Sequence, residues 1–107
     1  MAKELKLIKP TEVLDGPNTN QLRLEIKEVI QASVEVVLLD LDKIEFMNSS
    51  GIGALVATLK MVKAEKKELY LCNLTDQVKM ILELTKMDRV FTIFQSQEEF
   101  EEKIMNA

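Results

Sequence analysis

The run VEVVLLDL, residues 34 to 41, constrains the fold of this chain more than any other segment. Apolar and β-branched residues follow one another in it almost without a break. A strand with one solvated face alternates apolar and polar residues, whereas a strand buried on both faces reads as a nearly continuous apolar run. Such strands occur in parallel sheets covered by helices, so the run predicts an α/β protein.

Segments with strand and helix patterns alternate on both sides of this run. Further strands are predicted within residues 5–14, 68–74 and 89–94. Four helices are predicted to begin close to Asn18, Ser49 or Ser50, Thr75 and Ser96. This alternation implies a mixed, mainly parallel sheet of four to five strands with about four helices packed on it.

Charge and residue usage exclude several classes of function. The chain has 14 basic and 18 acidic side chains and a net charge of −4, which argues against non-specific binding to nucleic acid or to an anionic membrane. It has no histidine, so a Ser–His or Cys–His nucleophile pair within the chain is excluded. The single cysteine, Cys72, lies in an apolar stretch and fits a reducing compartment. Without a predicted leader or membrane span, we expect one cytoplasmic domain over residues 1–107.

The stretch NSSGIG, residues 48 to 53, lies where a helix is predicted to begin after the buried strand. Asn48 or Ser49 can accept a hydrogen bond from a free N–H of the first turn, which is worth about 1 kcal/mol. Gly51 and Gly53 are poor helix formers, each costing up to about 1 kcal/mol relative to alanine. Either the glycines pack tightly on the sheet, or they let another protein approach the backbone closely.

Residues 38–56, LLDLDKIEFMNSSGIGALV, resemble the signature of STAS domains, and in particular of the bacterial anti-sigma factor antagonists. The family pattern is an apolar strand, a short Asp-containing turn, an apolar pair and then Asp-Ser-Ser/Thr-Gly-hydrophobic-Gly. The likeness continues through residues 68–100 and covers about residues 11 to 105. It departs from the family at Asn48, where Asp is usual, and at Glu12, where Gly is usual.

This resemblance implies a protein that acts by binding, without enzymatic activity or a cofactor. The unphosphorylated antagonist binds an anti-sigma factor and frees the sigma factor. That partner is a serine kinase of the GHKL type, and a PP2C-type phosphatase resets the switch. The phosphorylated serine of the family maps onto Ser49, and Asp15 matches an acidic residue on the partner-facing surface. The partner-binding residues that we expect are Asp15, Met47, Asn48, Ser49, Ser50, Gly51, Ile52 and Gly53. A monomer or a weak dimer is expected.

Two other interpretations remain open at this point. A STAS scaffold or regulatory subunit, including the small subunit of lipid transporters, would keep the fold and bind its partner without a phosphorylation cycle. An enzyme with a divalent metal at Asp40, Asp42 and Glu45 is the alternative from another class. Its spacing lacks the glycine and the distal glutamate of a calcium loop, and a solvated strand end explains it better.

Overall fold

The alternation of strands and helices predicted from the sequence is present in the computed structural model, which describes residues 4–10 and 19–106. The strands are β1 (Leu5–Ile8), β2 (Val36–Asp40), β3 (Glu68–Cys72) and β4 (Ile93–Phe94). The helices are α1 (Thr19–Gln31), α2 (Ser49–Ala64), α3 (Asp76–Leu84) and α4 (Gln97–Phe100), and α4 continues as a π-helical turn over Glu101–Met105. The sequence-based prediction of four helices is therefore confirmed.

The four strands form one sheet in the order β1-β2-β3-β4, and each described pairing is parallel. The central strand β2 pairs on both sides, and all five of its residues are buried, as its unbroken apolar run predicts. The expected α/β class is confirmed. The sequence predicted a mixed, mainly parallel sheet of four to five strands, and within the described ranges the sheet has four strands with parallel pairings throughout.

Helices α1, α2 and α3 cover one face of the sheet with an aliphatic core. Their buried side chains meet Val37 and Leu39 of β2 and Leu69 and Leu71 of β3. The helical residues in this core are Leu22, Ile26, Val29, Leu55, Leu59, Val62, Val78 and Leu82. These positions follow the spacing of about 3.6 residues that the sequence predicts for amphipathic helices.

The opposite face of the sheet is covered by α4 through a group of aromatic rings. Tyr70, Phe94 and Phe100 lie with their ring centroids 5.5 to 5.8 Å apart, in tilted and edge-to-face arrangements. Phe100 is fully buried beside Val36 and Leu38. Edge-to-face pairs of this kind add about 0.5–1.5 kcal/mol each beyond the burial of their surface. Three of the five aromatic residues of the chain thus lie together between the sheet and its last helix.

The prediction of a strand over residues 89–94 is mostly wrong. A single 3-10 turn occupies Met87–Arg89, and only Ile93 and Phe94 pair with β3. Lys86 has a positive φ of 62°, which ends α3 and redirects the chain. Phe91 then inserts its ring into the aliphatic core, with 5% of its surface exposed, so the backbone reaches the sheet only after it.

Candidate partner-binding and phosphorylation site

The segment between β2 and α2, residues 41–48, is held by apolar side chains at every third position. Leu41 and Ile44 are fully buried and Met47 is 2% exposed. Each of them belongs to the core on the helical face of the sheet. The segment therefore lies tightly on the domain, although it contains little regular structure, and it delivers the chain to the start of α2 in a defined position.

The buried carboxylate of Asp40 joins this segment to the neighbouring strand. Asp40 is 4% exposed, and its two oxygens accept hydrogen bonds from the backbone N–H of Asp42 at 3.1 Å and from Nδ2 of Asn73 at 3.2 Å. Both oxygens thus have partners within the protein. Among the described residues, no group of three or more His, Cys, Asp or Glu side chains is placed to hold a metal ion. Asp40 is accordingly described best as a structural link.

Asn48 caps helix α2. Of the two capping residues that the sequence allowed, Asn48 and Ser49, the structure has the first. Its backbone is extended, with φ −100° and ψ −173°, and its Oδ1 accepts a hydrogen bond from the N–H of Gly51 at 3.0 Å. Ser49 and Ser50 are then the first two residues of the helix, and both are exposed. In the part of the chain that the structure describes, neither of their hydroxyls makes a hydrogen bond. The serines are therefore not required for the cap.

The two glycines of the first turn differ in their surroundings. Gly51 is buried and supplies the N–H that Asn48 caps. Gly53 is exposed, and a Cβ built on it would meet no atom within 4 Å. Packing inside the domain therefore does not require a glycine at position 53. The missing side chain leaves the backbone of α2 open on the surface beside Ser49, where the first turn contains no acidic residue.

Three residues before Ser49 in the chain, Phe46 presents an aromatic ring to solvent, with 52% of its surface exposed. Its neighbours in the chain are Glu45, which is exposed, and Met47, which is buried. Met47 was included among the partner contacts expected from the sequence, and the structure places its side chain in the core, with 2% of its surface exposed. Phe46 is the exposed residue of this pair, and sequence reasoning did not single it out because an irregular segment has no periodicity to separate inward from outward positions.

The other predicted site residues fall into two groups. Asn48, Ser49, Ser50, Ile52 and Gly53 lie together on or near the surface at the start of α2, with Ile52 half-buried. Asp15, Glu12 and the expected cap at Asn18 lie outside the described residues. The site can therefore be described as the start of α2 with Phe46 beside it.

Thr75 links this site to α3. Its hydroxyl donates a hydrogen bond to the carbonyl oxygen of Ile44 at 2.8 Å, and the same oxygen accepts from the N–H of Val78 at 3.4 Å. The second bond is the helix cap that the sequence predicts for α3. The first joins residues 31 positions apart in the chain, and no local pattern in the sequence signals it.

The single cysteine is an inert part of the sheet. Cys72 is fully buried, and removal from water, with the Asp40 and Asp42 carboxylates nearby, raises the pKa of its thiol to about 12. A thiol with so high a pKa stays protonated at neutral pH and is a poor nucleophile. Cys72 thus contributes packing rather than chemistry.

The lysines at the far end of α2 are not all solvated. Lys60, Lys63 and Lys66 are exposed, as expected for a solvated helix end. Lys67 instead donates to the carbonyl oxygens of Ala32 and Val34, just after α1. A cation at this place compensates the negative end of a helix. This end of α2 therefore stabilises the fold, while its other end carries the exposed hydroxyls.

Comparison with known proteins identifies the family. Residues 3–100 match the profile of the STAS domain, so the chain belongs to the STAS domain family. None of the helices in the described ranges has the length and apolar character needed to cross a bilayer.

Several individual relatives are named as anti-sigma factor antagonists. The chain is 25% identical over 85 residues to a protein of Paenibacillus polymyxa named anti-sigma F factor antagonist, a match that covers 78% of this chain and 73% of that protein. Among solved structures, it resembles the anti-sigma factor antagonist SpoIIAA in its unphosphorylated form, with a TM-score of 0.73, 20% identity and coverage of 100% of this chain and 94% of that one. It also resembles Bacillus SpoIIAA in the phosphorylated form, with a TM-score of 0.70, 20% identity and coverage of 94% and 92%. These structural matches support the fold.

Proposed function

We propose that this protein is an anti-sigma factor antagonist that binds an anti-sigma factor through the start of α2 and is switched off by phosphorylation of Ser49. The observation that carries the proposal is the division of roles in the first turn. Asn48 makes the cap, and the exposed hydroxyl of Ser49 is left without a structural bond among the described residues. The names of the relatives support the role, since the Paenibacillus protein is named an anti-sigma F factor antagonist.

The position of Ser49 suits a phosphoryl group. A phosphoserine adds about −1.5 to −2 charges and three acceptor oxygens. At the first position of a helix these oxygens are close to free backbone N–H groups and to the positive end of the helix dipole. The first turn of α2 contains no acidic side chain that would repel them. The domain itself should therefore remain folded after phosphorylation.

Binding of a partner, unlike the fold, should be weakened by phosphorylation of Ser49. The open backbone at Gly53 and the exposed ring of Phe46 are both accessible to a partner that docks at the start of α2. A phosphoryl group on that surface adds bulk and charge that the partner must desolvate. A penalty of about 3 kcal/mol would weaken binding more than 100-fold. Release then needs no rearrangement inside this domain.

The partners follow from the same proposal. The anti-sigma factor is expected to be a serine kinase of the GHKL type, with a PP2C-type phosphatase that removes the phosphate, and the exchange takes place in the cytoplasm. The structural relative SpoIIAA is known in an unphosphorylated and a phosphorylated form, which supports a cycle of this kind. Asn48 replaces the usual Asp, so this chain keeps the cap without a negative charge beside Ser49.

The test is a pull-down from lysate of the source organism with wild type, Ser49→Asp and the neutral control Ser49→Asn. Partners are identified by mass spectrometry, and circular dichroism checks that each variant is folded. The proposal predicts a GHKL-type kinase that wild type and Ser49→Asn retain and Ser49→Asp loses.

The second candidate is a STAS scaffold or regulatory subunit that binds a partner constitutively. The neutral Asn48 favours it, because the residue next to the serine is committed to a structural bond and carries no charge that could act during phosphoryl transfer. Retention of the same partner by Ser49→Asp would support this candidate and overturn the switch.

A further inference from the structure

The hydroxyl of Thr75 makes two hydrogen bonds, and only one of them concerns its own helix. It accepts from the N–H of Val78 and thereby caps α3. It also donates to the carbonyl oxygen of Ile44, at the shorter distance of 2.8 Å. A threonine that only capped α3 would not need the second bond. The β3–α3 turn therefore has a contact with the segment that leads to Ser49.

Ile44 lies midway along that segment, so its carbonyl is an effective point of attachment. Its N–H donates to the carbonyl oxygen of Leu41 at 3.0 Å, and its side chain is fully buried. Four residues further on, Asn48 caps α2. A shift of the backbone at Ile44 would be carried through this short stretch, which the buried Met47 anchors, to the cap and to the first residue of the helix.

A second bond from the same turn reaches the last residue of β2, just before that segment. Asn73 has a positive φ of 56°, a conformation that few residues other than glycine adopt, and its side chain donates to the buried carboxylate of Asp40. Asp40 in turn accepts from the backbone N–H of Asp42. Two side chains of the β3–α3 turn thus hold the β2–α2 segment, one at its beginning and one at its middle.

We infer that Thr75 is a positioning residue, which fixes the β2–α2 segment and through it the orientation of Ser49 toward the partner. This inference rests on the function proposed for Ser49, but its physical basis is the bond from Thr75 to Ile44. Loss of that bond leaves the buried carbonyl of Ile44 without its donor, and the segment loosens. The positions of Ser49 and of the Asn48 cap then become less defined.

Three substitutions of Thr75 separate this role from capping. Thr75→Ser keeps both bonds. Thr75→Asp keeps an acceptor for the N–H of Val78 but has no proton to donate to Ile44 at neutral pH. Thr75→Val loses both bonds without adding charge. Amide hydrogen exchange of residues 41–48 and of α3 is measured in each variant by mass spectrometry.

The expected pattern is specific to positioning. Exchange in residues 41–48 should become about tenfold faster in Thr75→Asp and Thr75→Val and stay unchanged in Thr75→Ser. Exchange in α3 should rise only in Thr75→Val, because the cap survives in Thr75→Asp. If residues 41–48 exchange in Thr75→Asp as they do in wild type, Thr75 is only a helix cap and the inference is overturned.

A reactive thiol at position 49 gives a second readout. In a Ser49→Cys background the buried Cys72 stays protonated, so iodoacetamide reports on position 49 alone. A helix N-terminus lowers the pKa of a thiol below its ordinary 8.5 or so. We expect Thr75→Val to move the midpoint of the alkylation pH profile upward by about half a unit or more, and Thr75→Ser to restore it.

An unchanged midpoint in Thr75→Val would contradict the inference. Neither readout uses a kinase or a partner, so the role of Thr75 can fail while phosphorylation of Ser49 stands. Equally, the pull-down can reject the phosphorylation switch while the link from Thr75 to residues 41–48 is upheld.

Discussion

Helices α2 and α4 both begin with serine nearby, yet they use it in different ways. At α4 the hydroxyl of Ser96 accepts from the N–H of Glu99 at 3.1 Å, and the carboxylate of Glu99 accepts from the N–H of Gln95. At α2 the capping residue is Asn48, whose Oδ1 accepts from the N–H of Gly51, and Ser49 does not cap the helix. A serine at a helix start is explained by structure when it caps. When a neighbour caps, the hydroxyl is available for another role.

Among the substitutions that test this comparison, the largest effect is expected for one on the exposed face of α2. Gly53→Leu adds bulk beside Ser49 where no atom of the domain lies, so the fold should tolerate it. A docked partner would clash with the new side chain, and its binding should fall by at least about tenfold, or 1.4 kcal/mol. Binding is measured by titration calorimetry with the partner that the pull-down retrieves.

Gly53→Leu has a matched control at the start of α4. Glu98→Leu places the same side chain at an exposed position of the other helix and should leave binding unchanged. Gly53→Ala should raise the free energy of unfolding by about 0.5–1 kcal/mol, because alanine is the better helix former. If Gly53→Leu binds the partner as wild type does, the face beside Ser49 is not the docking surface.

The next effect concerns the caps themselves. Asn48→Ala and Ser96→Ala should each lower the free energy of unfolding by about 1 kcal/mol, since each removes a capping bond. Ser49→Ala should change it by less than about 0.5 kcal/mol, because this hydroxyl is exposed and is not the cap. Urea denaturation monitored by circular dichroism provides the three values. A loss of about 1 kcal/mol in Ser49→Ala would show a structural role for that hydroxyl.

A separate effect is expected only in alkaline solution, on the side of the sheet that α4 covers. Burial raises the pKa of Cys72 from 9.0 to about 12, and burial with the neighbouring Glu68 carboxylate raises that of Tyr70 from 10.0 to about 12. Because the folded state binds these protons more tightly, their contribution to stability is complete below about pH 9 and is lost as the pH rises toward 12.

Urea midpoints measured between pH 8 and 12 should therefore fall over this range, and a Cys72→Ala, Tyr70→Phe variant should show a shallower decline. Rapid alkylation of Cys72 in the native protein at pH 8 would contradict the raised pKa. Neither Cys72 nor Tyr70 lies at the start of α2, so this loss of stability concerns only the side of the sheet that α4 covers.

Much of the fold followed from local patterns, because burial on both faces of β2 and the helical spacing of residues such as Leu22 and Ile26 appear directly in the sequence. The cap choices of α3 and α4 were also readable from Thr75 and from Ser96 with Glu99. The last strand was not, since Phe91 is drawn into the core by contacts that a local window does not contain.

The site was predictable only in part. Its position in the sequence followed from NSSGIG. Which of Phe46 and Met47 is exposed and which is buried depends on how an irregular segment lies on the domain. The bond between Thr75 and Ile44 joins residues 31 apart, and a single sequence offers no signal for it. Long-range contacts of this kind therefore had to come from the structure.

The most direct test of the central claim compares two forms of the protein, one unmodified and one with phosphoserine incorporated at position 49. Each is titrated into the partner retrieved by the pull-down, and hydrogen exchange establishes that both are folded. The account predicts that the phosphorylated form binds at least about 100-fold more weakly while its fold is unchanged. Equal affinities of the two forms would contradict it and leave α2 as the docking helix of a constitutive binding domain.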